Sequence, residues 1–184
     1  VRCATDKWNP LFLSREDAYE AVQGYRASHP NVPVMWRTLD NTLAMMANNY
    51  RTDIKGIEFH PTHVRLPNGM NLEYPNLGYV SEKDSLMYDK GKYYGFIHGG
   101  SFLENLIQAI SRIFMGECML QVERERGDEI FSVSTTHDEG IWLVKDSIAE
   151  EAYNYVHKIM CTPPKWAPTC PMNAEGGFAR EYSK

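Results

Sequence analysis

Asp138 and Glu139 are adjacent carboxylates set between two short apolar runs, with His137 immediately before them. The runs Ile130 to Ser134 and Ile141-Trp142-Leu143-Val144 read as two strands, so His137-Asp138-Glu139-Gly140 becomes the turn of a predicted hairpin. Carboxylates raised on a rigid turn suit a hard divalent cation, which takes oxygen ligands and keeps open positions for water and phosphate. Asp and Gly are also ordinary turn formers, so from the tripeptide alone a solvated turn is the plainer reading. His60 and His63, in His-Pro-Thr-His, could pair on a metal; with Glu58 as the one nearby acid, solvated loop histidines are the plainer reading. Tyr93, Tyr94 and Phe96 could stack bases, whereas their strand-like spacing suits sheet packing. Glu123, Arg124, Glu125 and Arg126 alternate in sign and read as a solvated helix end.

The elements that would position these groups follow from periodicity and capping. Ser14 with Glu16 and Asp17 behind it reads as an N-cap, opening a helix to Ser28 that His29-Pro30 stops. A second helix, about 32–48, carries Met35, Trp36, Leu39, Leu43 and Met46 at helical spacing. Pro67-Asn68-Gly69 turns one hairpin, from Val64-Arg65-Leu66 into the run 70–74, and 89–92 turns another between 85–88 and 93–97. The strongest helix runs from Ser101 to about Arg124, with Leu103, Leu106, Ile107, Ile110, Phe114, Cys118 and Val122 inward. Glu104 and Gln108 lie one turn apart on its polar side. Asp146 or Ser147 caps a last helix to Met160, with Ile148, Ala152, Tyr155 and Ile159 inward, and 171–178 reads as one extended strand. The fold class is α+β, with helices packed on an antiparallel sheet.

At 184 residues and 43% hydrophobic, the chain can bury a real core and is not disordered. A net charge of −5 excludes a nucleic-acid binder that works by bulk positive charge, though not a locally basic site. No apolar run reaches the ~20 residues of a membrane span, and the start, Val1-Arg2-Cys3-Ala4-Thr5-Asp6, has no signal-peptide core. The absence of an initiator Met reads as a processed chain or an excised piece. Cys3, Cys118, Cys161 and Cys170 contain no close pair of the kind zinc takes. Cys118 reads as a buried free thiol, and the cysteine usage as a reducing, intracellular setting.

The order of elements adds to this reading. The stretches His98-Gly99-Gly100-Ser101-Phe102-Leu103-Glu104-Asn105-Leu106-Ile107-Gln108-Ala109-Ile110-Ser111-Arg112, Thr136-His137-Asp138-Glu139, Thr162-Pro163-Pro164-Lys165-Trp166-Ala167-Pro168 and Asn173-Ala174-Glu175-Gly176-Gly177 follow one another along the chain. In that order they resemble the C-terminal part of family A DNA polymerases, the group of bacterial DNA polymerase I, in its phage-type branch. Tyr25-Arg26-Ala27-Ser28-His29-Pro30 with Trp36 is similar to the fingers helices, and Leu66-Pro67-Asn68-Gly69 with Leu72-Glu73-Tyr74-Pro75-Asn76 to the hairpin that follows.

The resemblance implies a right-hand polymerase fold, with residues 1–60 as partial fingers helices and 61–184 as the C-terminal palm part. It implies Asp138 as the catalytic metal carboxylate for two magnesium ions, and Glu139 as a catalytic neighbour that tunes the site. It implies nucleic-acid contacts by His137 and Gln108 at the primer end or minor groove, and by Glu104 near the template. The partners would be primer–template DNA, deoxynucleoside triphosphates and the missing N-terminal polymerase part, in a cytoplasmic setting (host cytoplasm for a viral protein). The second metal carboxylate of the family has no counterpart, since Asp53 lacks its context. The fingers helix that holds the triphosphate is also missing; Lys92-Tyr93-Tyr94-Gly95 has its letters without its spacing. Ile113 stands where the family commonly has an acid. The expected activity is DNA-directed nucleotidyl transfer in the completed enzyme and little or none in this chain alone. A non-catalytic palm-like fragment that binds DNA or a partner is the alternative, and a metal-dependent phosphohydrolase ranks last.

Overall fold

The structure, a computed structural model, describes residues 14–182 and the backbone of residues 2–3 and 11–12. The expectations placed on Val1 to Asp6, including the side chain of Cys3, lie outside the described residues.

The chain is α+β, with four α-helices and small antiparallel sheets among the described residues. A two-residue pair, β1 (Arg2–Cys3) and β2 (Leu11–Phe12), comes first. Helix α1 (Arg15–Ser28) begins where sequence places it: Ser14 Oγ accepts from the Asp17 amide at 3.0 Å and donates to its carboxylate at 2.7 Å. Pro30 separates it from α2 (Asn31–Ala47), which buries Leu39, Thr42, Leu43 and Met46. Met35 and Trp36 are only half-buried.

Two strands that sequence patterning does not reveal follow, β3 (Thr52–Ile54) and β4 (Ile57–His60). They join β5 (His63–Arg65) and β6 (Asn71–Glu73) in a four-stranded sheet of order β3-β4-β5-β6. The Pro67-Asn68-Gly69 turn forms as expected. Gly69, at φ +84°, donates to the Leu66 carbonyl at 2.8 Å, in a backbone conformation that a Cβ would strain. Next, β7 (Gly78–Val80), β8 (Ser85–Asp89) and β9 (Tyr94–Ile97) form a three-stranded sheet with the expected turn between β8 and β9.

Helix α3 (Gly99–Arg126) is followed by the hairpin β10 (Ile130–Thr136) and β11 (Glu139–Val144), then α4 (Ala149–Met160). Among the described residues the strands thus form four separate small sheets rather than one. A 3-10 turn at Asp146–Ile148 leads into α4, whose N-cap is Ile148 without a side-chain bond, so the expected Asp146 or Ser147 cap is not made. The expected strand at 171–178 does not form either, because no backbone partner lies beside it. Side chains hold this tail instead: His157 Nε2 lies 3.0 Å from the Ala174 carbonyl oxygen, and Tyr153 packs on Phe178.

The chain divides into two compact units. The first comprises the residues up to Val64 and Glu73–Glu104. Its core holds Leu39, Leu43, Met46, Phe59, Tyr74 and Phe102, with Phe102 edge-on to Tyr74 at 5.1 Å and to Phe59 at 5.9 Å. In it the Gly99 amide donates to Asp40, and a Cβ on Gly99 would fall 1.9 Å from the Trp36 carbonyl oxygen. Only glycine allows the start of α3 to lie that close to α2. The second unit comprises Arg65–Leu72 and the chain from Asn105 onward. Its core gathers Phe114, Cys118, Val122, Ile130, Ala152, Val156 and Ile159, with Trp142, Val144, Trp166 and Met172 packed around it. Ile107, expected inward on α3, is exposed. It lies one position, about 100°, off the buried row Phe102, Leu106 and Ile113. No helix of the described residues is long and apolar enough to cross a membrane.

Candidate functional site

The His137-Asp138 pair forms a two-residue loop, with Thr136 and Glu139 paired across it. His137 takes the left-handed conformation, φ 55°, that such tight loops demand. Asp138 and His137 are exposed, whereas Glu139 already belongs to the return strand and is half-buried. Tyr182, from the tail, donates its hydroxyl to Glu139 Oε2 at 3.1 Å. Asp138 is thus the forward carboxylate, and Glu139 is turned to an internal partner.

The pleat sorts the rest of the hairpin. The pairs Ile130–Val144 and Ser132–Trp142 lie on the face that packs on the helices, and Phe131–Leu143 lies on the other. The register shifts between Ser132 and Ser134, leaving Val133 unpaired in a bulge. Beyond it, Thr135 and Gly140 return to the inner face. The Trp142 ring lies so close over Gly140 that a Cβ there would meet Cη2 at 2.3 Å. The Trp142 indole N–H is buried without a hydrogen-bond partner.

Helix α3 supplies the adjoining groups. Gln108 is exposed, and one turn later Arg112 donates from Nη2 to Thr135 Oγ1 at 3.1 Å. That bond brings the Gln108 face of α3 beside the hairpin. Glu104, one turn earlier, is exposed and belongs to the first unit. Ile113 is 7% exposed, so an acid there would have to be desolvated. Trp166 of the proline-rich loop donates to Glu117 on α3 at 3.0 Å, which pins that loop. Sequence reasoning missed Arg112, Thr135 and Tyr182 as neighbours of the tip. The four-residue step from Gln108 to Arg112 was a usable signal; nothing in sequence marks Tyr182.

Other candidates resolve differently. His60 and His63 lie on strand ends rather than in a loop. Their rings stack at 4.5 Å and 8°, and His60 meets Glu58 at 3.2 Å. Parallel rings direct their lone pairs into parallel planes, which do not converge on one ion. Tyr93, Tyr94 and Phe96 are exposed rather than packed, and the Lys83 ammonium sits 5.4 Å from the Phe96 ring. The mixed cluster at the end of α3 is solvent-exposed at Glu123, Arg124 and Glu125, as expected, and it also forms a surface clasp. Arg126 bonds Glu129 at 2.6 Å and Glu151 at 2.7 Å, and Tyr155 donates to Glu125 at 2.6 Å. An open cavity of about 570 Å³ lies at the start of α4, lined by Asp146, Glu150, Glu151, Asn154 and Phe178. Its acidic wall repels phosphate, and its lining includes none of His137, Asp138 and Glu139.

Among the described residues no group of three or more His, Cys, Asp or Glu side chains is placed to hold a metal ion. Asp138 and Glu139 have the hard oxygen donors that magnesium takes, but by themselves they do not make a two-ion centre. Comparison of the chain with protein-family models, with curated proteins and with solved structures finds no match.

Proposed function

We propose that this chain is the C-terminal palm-and-fingers part of a family A DNA-directed DNA polymerase, completed by a missing N-terminal part. The observation that carries the reading is the succession of the Gln108-bearing helix, a tight hairpin with Asp138 at its tip, a packed helix and a pinned proline-rich loop. The Gln108 stretch lies on α3 and Asp138 at the hairpin tip, while the Asn173-Ala174-Glu175-Gly176-Gly177 stretch lies in a tail without regular structure. The outer face of the hairpin adds support: Phe131 is 53% exposed, Val133 62% and Leu143 64%, an apolar surface suited to cover by another polypeptide.

In this reading Asp138 supplies one metal carboxylate, and the missing part supplies the second together with the triphosphate site. Magnesium, held only in the completed enzyme, would neutralise charge on the transferring phosphoryl group. This chain's own share is placement. The hairpin presents Asp138, Tyr182 orients Glu139, and Gln108 and His137 serve the primer end, whereas a template contact by Glu104 of the first unit rests on the resemblance alone. The second reading is a non-catalytic palm-like fragment that binds DNA or a partner, which needs no metal group from this chain.

Primer extension with magnesium and four deoxynucleotides decides between them. The polymerase reading expects no extension by this chain alone. It expects extension when the polypeptide encoded directly upstream is added, and a loss of at least about 100-fold with Asp138→Ala in that mixture. DNA binding indifferent to Asp138→Ala, with no extension in any mixture, would establish the binding fragment instead.

A further inference from the structure

The geometry points to Arg112 as a positioning residue that fixes the hairpin tip through Thr135. The consequence for catalysis rests on the polymerase reading; the contact does not. Beyond the bulge only three residue pairs carry the tip: Ser134–Ile141, Thr135–Gly140 and Thr136–Glu139. A bulge bends its strand and increases local twist, so the packed half of the hairpin does not by itself set the direction of the tip. A two-stranded ribbon this short is also marginal. Asp138 therefore stands at the end of a short lever that needs a tie.

The inner face of that lever is poor in packing atoms, because Gly140 has no side chain and lies under the Trp142 ring. Thr135, its cross-strand partner, is half-buried and offers a hydroxyl instead. Arg112 reaches it at 3.1 Å from α3. That helix is itself anchored through Phe114, Cys118 and Val122 in the core of the second unit. A planar guanidinium on an anchored helix holds direction as well as distance, which a flexible ammonium does less well. Arg112 sits one turn from Gln108, so the same bond fixes the spacing between the Gln108 face and the tip.

Amide hydrogen exchange on the full chain tests this, with residues 152–159 of α4 as internal reference. Arg112→Met and Thr135→Val should each speed exchange of the amides of 135–141 by roughly three- to tenfold, the worth of one net hydrogen bond, with α4 unchanged. The double variant should match either single one, and Arg112→Lys should restore part of the protection. Unchanged exchange at the tip, or additive effects in the double variant, would overturn the proposal. If Arg112→Met loosens α4 as well, Thr135→Ser against Thr135→Val carries the comparison: protection kept by serine and lost with valine supports the tie, and equal exchange in the two overturns it. In the primer-extension mixture the same variants should lower kcat with KM for deoxynucleotide unchanged. A mixture in which even the unaltered chain gives no extension sinks the polymerase reading, and leaves the exchange result to decide Arg112.

Discussion

Cys118 and Asp138 show how differently two ionisable side chains behave under burial and exposure. Asp138 sits at an open loop, where the chain can present it to a ligand without a desolvation cost. Cys118 is 4% exposed on α3, and burial, helped by the neighbouring Glu117 charge, pushes its thiol up from about 9 to about 11. The sign of its effect on stability follows from proton counting. Between pH 9 and 11 the unfolded chain loses the thiol proton while the folded chain keeps it, so stability is full below pH 9 and falls as pH rises toward 11. Tyr155, pushed up to about 12 by burial and by its bond to Glu125, adds to the same slope above its ordinary value near 10. Urea midpoints measured from pH 8 to 11 should fall, and Cys118→Ala should flatten the pH 9–11 portion. A thiol reagent at pH 8 should label exposed Cys170 well before Cys118.

At the scale of elements, the hairpin and the two long helices of the second unit stand together through a few buried side chains. Ile130, at the start of β10, is fully buried against Val122 of α3 and Ala152, Val156 and Ile159 of α4. Ile130→Ala removes methylene contacts that helices on both sides cannot easily close over. It should cost about 2–5 kcal/mol in urea unfolding. The clasp of Arg126 with Glu129 and Glu151, and of Tyr155 with Glu125, ties the same two helices at their surface ends. Helix α1 is the contrast: it buries no side chain, and its stability comes from Ser14, the acids of its first turn and Arg26 in its last.

At the scale of the whole molecule, the outer face of the hairpin carries three exposed apolar side chains, Phe131, Val133 and Leu143. If a second polypeptide covers it, Leu143→Arg should leave the isolated chain's stability within about 0.5 kcal/mol, since the side chain is exposed. It should also raise solubility and abolish extension in the reconstituted mixture. A mixture as active with Leu143→Arg as without it would show that this face is not where the second polypeptide sits.

The α+β class, α1 with its Ser14 cap, α2, α3, the Asn-Gly hairpin and the His137-Asp138 tip were all legible in sequence. Each rests on local physics: periodicity, a capping side chain, or a turn that few residues can make. The order of the motifs along the chain was equally a property of sequence. Tertiary structure alone decided the rest. Strands β3 and β4 are three and four residues long, too short for a periodic signal, and form by pairing with each other and, through β4, with β5. The 171–178 tail, extended in pattern, found side-chain partners on α4 and no neighbouring strand, so it forms no ladder. Whether Glu139 faces outward with Asp138 or inward to Tyr182, and whether Arg112 reaches the tip, depend on contacts 43 and 23 residues apart in the chain. No local pattern encodes such distances; they are set when α3, the hairpin and the tail pack together.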